Sequence, residues 1–186
     1  MNEEETRLET AIQAETAFGL ERLQLGIKIP VEADPYKVNL VQADFRGANL
    51  SRANLAAMNL QGVQFANAFL RSTNFQAANL IGANFQQADL KNAILAEALL
   101  DRANLEQADL RKAELWSARL NNANLSHAIC REALFVDATL NNANLTGIDL
   151  SHADLCEANL YQANLQEAIL RHASFWNANL SRMALT

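Results

Sequence analysis

An apolar residue stands at every fifth position from Leu40 to Leu185 without interruption. The thirty positions hold twenty-three Leu, six Phe and one Cys. Two residues before each lies a second small or apolar residue, which is Ala in twenty-four cases. The residue between the two is Asn or Asp in eighteen units, as in Ala48-Asn49-Leu50. A chain with this regularity is expected to fold as a repeat.

A period of five fits neither an α-helix nor a long flat strand. Five helical residues advance about 500°, so the leucines would scatter around the whole cylinder. In a strand, five is an odd number, so successive leucines would point to opposite faces. The pattern fits a short extended piece, with Ala and Leu pointing inward and Asn or Asp outward, followed by a two-residue corner. Corners that always turn the same way coil the chain into a solenoid.

The phenylalanines indicate how many sides the coil has. At twenty residues per coil they fall into two of four columns, and these two columns lie on opposite sides. The columns are Phe45, Phe65 and Phe85, and Phe75, Phe135 and Phe175. Four pentapeptides therefore make one square coil, and residues 38–186 make about seven and a half coils. The inward Leu and Phe side chains should fill the interior.

The units resemble the pentapeptide-repeat family, whose motif is A(D/N)LXX, over about residues 38–186. The resemblance implies an all-β solenoid, a right-handed quadrilateral β-helix. The family is abundant in cyanobacteria, and some members bind DNA gyrase by imitating duplex DNA and give quinolone resistance. This chain differs from that subgroup, because its repeat region is nearly neutral and its register has no loop insertion. Its repeats continue to Leu185, so we expect no dimerising C-terminal helix.

The first part of the chain lacks the five-residue period. We predict that residues 1–37 form a short N-terminal α-helical cap and connector, with Asn2 as helix N-cap and Gly19 and Gly26 dividing the helices. Residues 3–28 would lie over the first coil as a lid. Residues 38–186 form the second unit, the β-helix. At the other end we expect no lid, so Leu180, Met183 and Leu185 are candidates for self-association with a second copy.

Charge and composition exclude several classes of protein. The net charge is -6, of which residues 1–37 carry -4 and residues 38–186 only -2. A nucleic-acid binder needs a basic field, so no direct nucleic-acid binding is expected. The acidic N-terminus is unlike a signal peptide, and no apolar run is long enough to span a membrane. We therefore expect a cytoplasmic protein. Its two cysteines make no disulfide framework.

One side of the coil is predicted to carry a cluster of outward apolar residues. The cluster consists of Ile94, Trp116, Leu134, Val136 and Trp176, with Cys156 between its members. Outward positions elsewhere are mainly polar, and Trp is enriched in protein interfaces. The cluster is therefore our candidate partner-binding site. Scattered apolar residues are also common on ordinary protein surfaces, and that interpretation stays open.

Three other columns have a structural and a functional interpretation. The basic column could receive phosphates or an acidic partner, but Asp89, Asp109 and Asp149 should neutralise much of it as an exposed ion-pair ladder. That column is Arg71, Lys91, Arg111, Arg131 and Arg171. His152 and His172 lie one coil apart near Glu132, but no metal-ligand motif accompanies them. An Asn column at 84, 104, 124, 144 and 164 should form a ladder along one wall.

No catalytic, cofactor-binding or metal-binding residues are assigned from the sequence. A regular convex coil lacks the concave pocket that an enzyme usually needs. We predict a non-enzymatic scaffold that binds another protein of unknown identity. The alternative is a DNA-mimicking protein that binds DNA gyrase. A metal protein or an enzyme is the third class, and bound metal or turnover would reveal it.

Overall fold

A computed structural model of the protein describes residues 40–185. Between these residues every pentapeptide repeats one pattern, a single bridging residue followed by a two-residue turn. Twenty-five parallel bridges each join a residue to the one twenty positions later, from Asp44 with Gln64 to Asn164 with Ala184. Four bridging residues fall within each stretch of twenty residues, so the coil has four sides. The extended pieces are single bridges, and this part of the chain contains no helix.

We number the sides by their bridging residues and include in each side the corner that follows it. Side 1 bridges at 44, 64, 84, 104, 124, 144, 164 and 184; side 2 at 49, 69, 89, 109, 129, 149 and 169. Side 3 bridges at 54, 74, 94, 114, 134, 154 and 174; side 4 at 59, 79, 99, 119, 139, 159 and 179. The helical cap predicted for residues 1–37 lies outside the described residues.

The predicted inward residues form the core. The central residues from Leu40 to Leu165 are at most 4% exposed, and Cys130 is fully buried among them. The Phe rings meet across the axis. The ring centroid of Phe65 lies 5.7 Å from that of Phe75 on the opposite side and 5.1 Å from that of Phe85 in the next coil. The prediction from the Phe columns is therefore confirmed. Cutting a core side chain leaves a cavity between packed neighbours.

Each corner contains a residue in the left-handed region. The second corner residue has a positive φ at every corner from Gln42 to Arg182, and twenty-five of these residues are not glycine. The following N–H closes the turn, as Ala43 does onto the carbonyl of Leu40 at 3.0 Å. A positive φ at only the third position of a turn defines type II. For L-residues this conformation costs about 1–2 kcal/mol, which the stacked coils must offset.

Backbone partners account for four of the five N–H groups in each interior pentapeptide. In the unit from Ala123 to His127, the N–H groups of Asn124, Leu125 and His127 bond to neighbouring coils, and that of Ala123 closes a turn. The fifth belongs to the first corner residue, Ser126, and donates to Asn124 Oδ1 at 3.2 Å. The same side-chain bond recurs at the other described Asn and Asp bridging positions except Asn59. This bond explains the Asn or Asp in the motif, because it satisfies the remaining donor.

Truncating one core leucine should destabilise the fold. We expect Leu100→Ala to lower the free energy of unfolding by about 2–5 kcal/mol, since it removes buried methyl groups and leaves a cavity. Leu100 is fully buried. Leu99→Ala changes the outward neighbour and is the matched control. It should lower the free energy of unfolding much less. Urea unfolding followed by circular dichroism measures both, and equal losses would contradict an inward Leu100.

Removing one bridging asparagine should orphan a corner N–H. We expect Asn124→Ala to cost about 1–3 kcal/mol, because the Ser126 N–H loses its acceptor and Ser126 is only 9% exposed. Leu99→Ala, at an equivalent bridging position without an acceptor, again serves as the control. A urea midpoint for Asn124→Ala equal to that of Leu99→Ala would reject the role assigned to the Asn side chain.

Candidate protein-binding surface

All five residues of the predicted apolar cluster lie on side 3. Trp116, Leu134 and Trp176 are 36%, 40% and 69% exposed, and Ile94 and Val136 are partly exposed. Trp116, Val136 and Trp176 occupy the first corner position of successive or nearby coils. Ile94 and Leu134 occupy bridging positions. The structure thus places these side chains together on one side, at or next to one edge; we call the five residues the side 3 patch.

The edge of side 3 is continuous, whereas its middle is interrupted. The N–H of Ser117 bonds to the carbonyl of Val136 at 2.8 Å, so the corners of Trp116 and Val136 lie in adjacent coils. Cys156 occupies the next corner, with its Sγ 3.1 Å from Ser174 Oγ. In the middle of the side, Glu114 forms bridges with both Ile94 and Leu134 and separates them. The apolar strip therefore follows the edge.

Within the described coils, three corners of this patch lack the side-chain bond found at the Asn and Asp positions, as do the corners of side 2 at Arg71, Arg131 and Arg171. Asp154 accepts the N–H of Cys156, but Leu134 has no acceptor to offer. Among residues 40–185, no acceptor is found for the N–H groups of Trp116, Val136 and Trp176. On side 4 a neighbouring coil compensates, since the Asn121 N–H donates to Asp101 Oδ1 at 3.2 Å. The sequence signal for these open donors is the absence of Asn or Asp at the preceding bridging positions of sides 2 and 3.

Side 2 carries the predicted ion-pair ladder. Lys91 Nζ lies 2.9 Å from Asp109 and 3.3 Å from Asp89, and Arg71 Nε lies 2.6 Å from Asp89. Arg111 pairs with Asp109 at 2.7 Å. Burial would raise the pKa of Asp109, but hydrogen bonds from Arg111 and Lys91 outweigh it and lower the pKa from 3.8 to about 2. The aspartates therefore form ion pairs with most of the cations of this column.

The same neutralisation continues further along side 2. Arg131 pairs with Asp149, whose carboxylate also accepts the hydroxyl of Ser151 at 2.6 Å. Burial opposes the ionisation of Asp149, but its bonds to Ser151 and Arg131 lower its pKa overall. These aspartates also separate the exposed apolar residues of this side. Those residues are Phe69, Ile129 and Ile169. Side 2 consequently has no continuous apolar strip.

The other candidate groups are structural in character. The rings of His152 and His172 stack with their centroids 4.9 Å apart, as expected for neighbouring coils. Glu132 lies 3.4 Å from Lys112 Nζ. In the part of the chain that the structure describes, no three His, Cys, Asp or Glu side chains are grouped to hold a metal ion. Burial, with a smaller contribution from Asp109 and Asp149, raises the pKa of the Cys130 thiol.

The Asn ladder on side 1 forms over most of its predicted length. Asn104, Asn124 and Asn144 each donate from Nδ2 to the Asn one coil earlier, at 3.4, 3.2 and 3.0 Å. Asn164 departs from the ladder and donates to Thr146 Oγ1 at 3.0 Å. The Thr146 hydroxyl itself donates to Asn144 Oδ1, which inserts it between the two amides.

The residues predicted for self-association lie in the last described coil. Leu185 is 51% exposed, and Leu180 and Met183 are partly buried. Leu180 and Met183 pack against the core from its end. Association with a second copy through these residues stays a prediction.

The chain belongs to the pentapeptide-repeat family. The family model described as "Pentapeptide repeats (8 copies)" matches residues 39–76, 59–96, 78–116, 95–126, 118–155 and 148–182. Members of this family form right-handed quadrilateral β-helices. A comparison with curated proteins gave no match. Residues 40–185 contain no helix with the length and apolar character that a membrane crossing requires.

Several solved structures are similar to this chain. A trypsin-treated form of QnrB1, a plasmid-mediated fluoroquinolone resistance protein, has 19% identity and a TM-score of 0.65, covering 77% of this chain and 79% of that one. HetL, a protein involved in heterocyst differentiation regulation in the cyanobacterium Nostoc sp. strain PCC 7120, has 27% identity and a TM-score of 0.44, covering 78% and 81%. Rfr23 from the cyanobacterium Cyanothece 51142 has 23% identity and a TM-score of 0.38, covering 91% and 98%.

The ion pairs of Asp109 should make stability depend on acid pH. The folded-state pKa of about 2 lies below the ordinary 3.8, so the carboxylate stabilises the fold above about pH 4 and loses this effect as pH falls towards 2. Asp109→Asn should therefore lower the urea midpoint at pH 6 and match the wild type near pH 2. Glu167→Gln, without an ion pair among the described residues, is the control. A deficit that stays constant from pH 6 to pH 2 would disprove the ion-pair contribution.

Proposed function

We propose that this protein is a non-enzymatic scaffold that binds another protein through the side 3 patch. The observation that carries the proposal is the apolar strip along one edge of a rigid coil, with Trp116 and Trp176 both exposed. Proteins of this repeat family are generally structural or interaction scaffolds. Truncated tryptophans are among the costliest changes in protein interfaces, so two on one edge favour this side over the others.

The unsatisfied corner donors support the same surface. The N–H groups of Trp116, Val136 and Trp176 belong to the strip and have no acceptor among the described residues. A partner that covered the strip could supply carbonyl or carboxylate acceptors to them. In the same part of the chain, side 2 has equivalent open donors at Arg71, Arg131 and Arg171, but its apolar residues are isolated between ion-paired aspartates, so that side supports no equivalent proposal.

The alternative hypothesis, a gyrase-binding DNA mimic, receives less support from the distribution of charge. Duplex DNA presents a negative charge about every 1.7 Å along its axis. Here side 2 carries seven Lys or Arg against four acids, and residues 38–186 have a net charge of only -2. Side 3 is acidic, but its five acids are spread over seven coils about 4.8 Å apart, which is far sparser than the phosphates of a duplex. The likeness to QnrB1 is 19% in sequence and concerns the fold. We therefore rank gyrase binding below the scaffold function.

Truncating both tryptophans should weaken partner capture. In affinity capture from native lysate, we expect Trp116→Ala/Trp176→Ala to bind the wild-type partner at least about tenfold more weakly, as interface tryptophans often cost more than 1 kcal/mol each. Both side chains lie outside the core, so thermal unfolding should change little.

The matched control truncates two exposed apolar residues of side 2. Phe69→Ala/Ile169→Ala removes side chains that are 53% and 43% exposed and should leave capture unchanged. Equal capture by the wild type and the double tryptophan variant would reject the side 3 patch as the binding surface. Equal losses of partner capture in both double variants would indicate nonspecific hydrophobic adsorption instead of a defined site.

A further inference from the structure

We propose that the side 3 patch takes a partner segment carrying both apolar and basic side chains, such as one face of a basic amphipathic helix. The inference rests on the proposed scaffold function and specifies the chemistry of its partner. Charged residues are distributed unevenly among the four sides. Side 3 comprises seven pentapeptides, from 53–57 to 173–177, and contains no Lys, Arg or His. It contains five acids, namely Glu97, Glu114, Asp137, Asp154 and Glu157.

These five carboxylates differ from the aspartates of side 2 in having no cation beside them. Asp89, Asp109 and Asp149 each form at least one ion pair on their own side. In the region from 40 to 185, no ion pair involves an acid of side 3; Asp137 accepts the hydroxyl of Ser117 at 3.1 Å. The negative charge of side 3 is therefore uncompensated from within the coil, and a basic partner would neutralise it.

The acids and the apolar strip alternate along the same edge. Trp116, Val136 and Trp176 hold the first corner position, and Glu97, Asp137 and Glu157 hold the second. Adjacent coils are about 4.8 Å apart, so Trp116 and Trp176 are separated by roughly 14 Å along the axis. About ten residues of α-helix span that length. An apolar helical stripe over the tryptophans would place flanking Lys or Arg side chains beside the acids.

The charge also discriminates between occupants. An anionic membrane surface and a nucleic acid would both be repelled by five unpaired carboxylates. A second copy of this chain, docking side 3 against side 3, would bring the same acids together. A protein segment with interspersed basic and apolar side chains satisfies both features of the edge. We accordingly assign the surface to that class of partner.

The two tryptophans give a direct readout, since they are the only ones in the chain and both lie in the patch. Two synthetic peptides of about 14 residues serve as probes, one built from Leu and Lys in an amphipathic helical pattern and the other with Glu in place of every Lys. We expect the Leu/Lys peptide to shift the tryptophan emission of the full chain in a saturable way, and more weakly as salt is raised. The Leu/Glu peptide should produce no shift.

Matched charge variants locate the binding. Glu97→Gln/Glu157→Gln should weaken binding of the Leu/Lys peptide about three- to tenfold, because two attractive charges are lost. Glu106→Gln/Glu167→Gln removes the same net charge from side 1 and should leave the affinity unchanged. Glutamine is compatible with the positive φ of Glu97 and Glu157, because Gln87 and Gln107 adopt it at equivalent corners. The tested variants should therefore fold.

The outcomes separate this inference from the scaffold proposal. Equal binding of both peptides, no binding of either, or equal loss in the two charge variants would overturn the basic-partner assignment. A tryptophan shift that depends on protein concentration without peptide, and that persists in Leu185→Asp, where the predicted terminal association is disrupted, would identify a second copy as the occupant and would also overturn it. If partner capture requires Trp116 and Trp176 while any of these results is found, the scaffold function stands and only its partner chemistry is wrong.

Discussion

The hydrogen bonds between stacked coils are the constraint on which the rest of the structure depends. Three of the five N–H groups in each interior unit bond to neighbouring coils, and one closes the turn. No coil can satisfy these donors alone, so each requires its neighbours. The register of twenty residues follows, since only that spacing aligns the bridging residues and stacks the buried Leu and Phe columns. Coil geometry, core and corner conformation are thus parts of one arrangement.

Much of this arrangement could be predicted from the sequence, because the signal repeats thirty times. The two opposite Phe columns gave four sides per coil, and the rings of Phe65 and Phe75 do meet across the axis. The left-handed corner could not be predicted by the usual marker. Only four of the described corners use glycine, whereas residues such as Lys112 and Glu132 adopt the same positive φ. Stacking with neighbouring coils imposes a conformation that local propensity disfavours.

The surface was less predictable than the core, for a physical reason. Inward positions must fit the axis and admit few residue types, so their pattern is strong. Outward bridging and corner positions tolerate almost any side chain. Only the distribution of residue types among the four sides indicates which surface differs from the others. The outward apolar cluster around Trp116 could be found by arranging the sequence in coils of twenty. The hydrogen bond from the Ser126 N–H to Asn124 could not, because period and composition do not reveal which donor is left over.

That leftover donor connects the fold to the candidate site. At the described Asn and Asp bridging positions other than Asn59, the side chain completes the hydrogen bonding of the coil. Side 4 achieves the same at Asn121 and Asn141, whose N–H groups donate to the side chains of Asp101 and Asn121. Side 3 lacks this bond at Trp116, Val136 and Trp176, which follow Glu114, Leu134 and Ser174. Side 2 lacks it at Arg71, Arg131 and Arg171, which follow apolar bridging residues. Proteins depart from a locally favourable pattern mostly where function requires it. On side 3 the departure coincides with the exposed tryptophans and the unpaired carboxylates. Among the described coils, only the edge of side 3 combines open donors, exposed tryptophans and acids without ion pairs, which is the arrangement that the proposed binding surface requires.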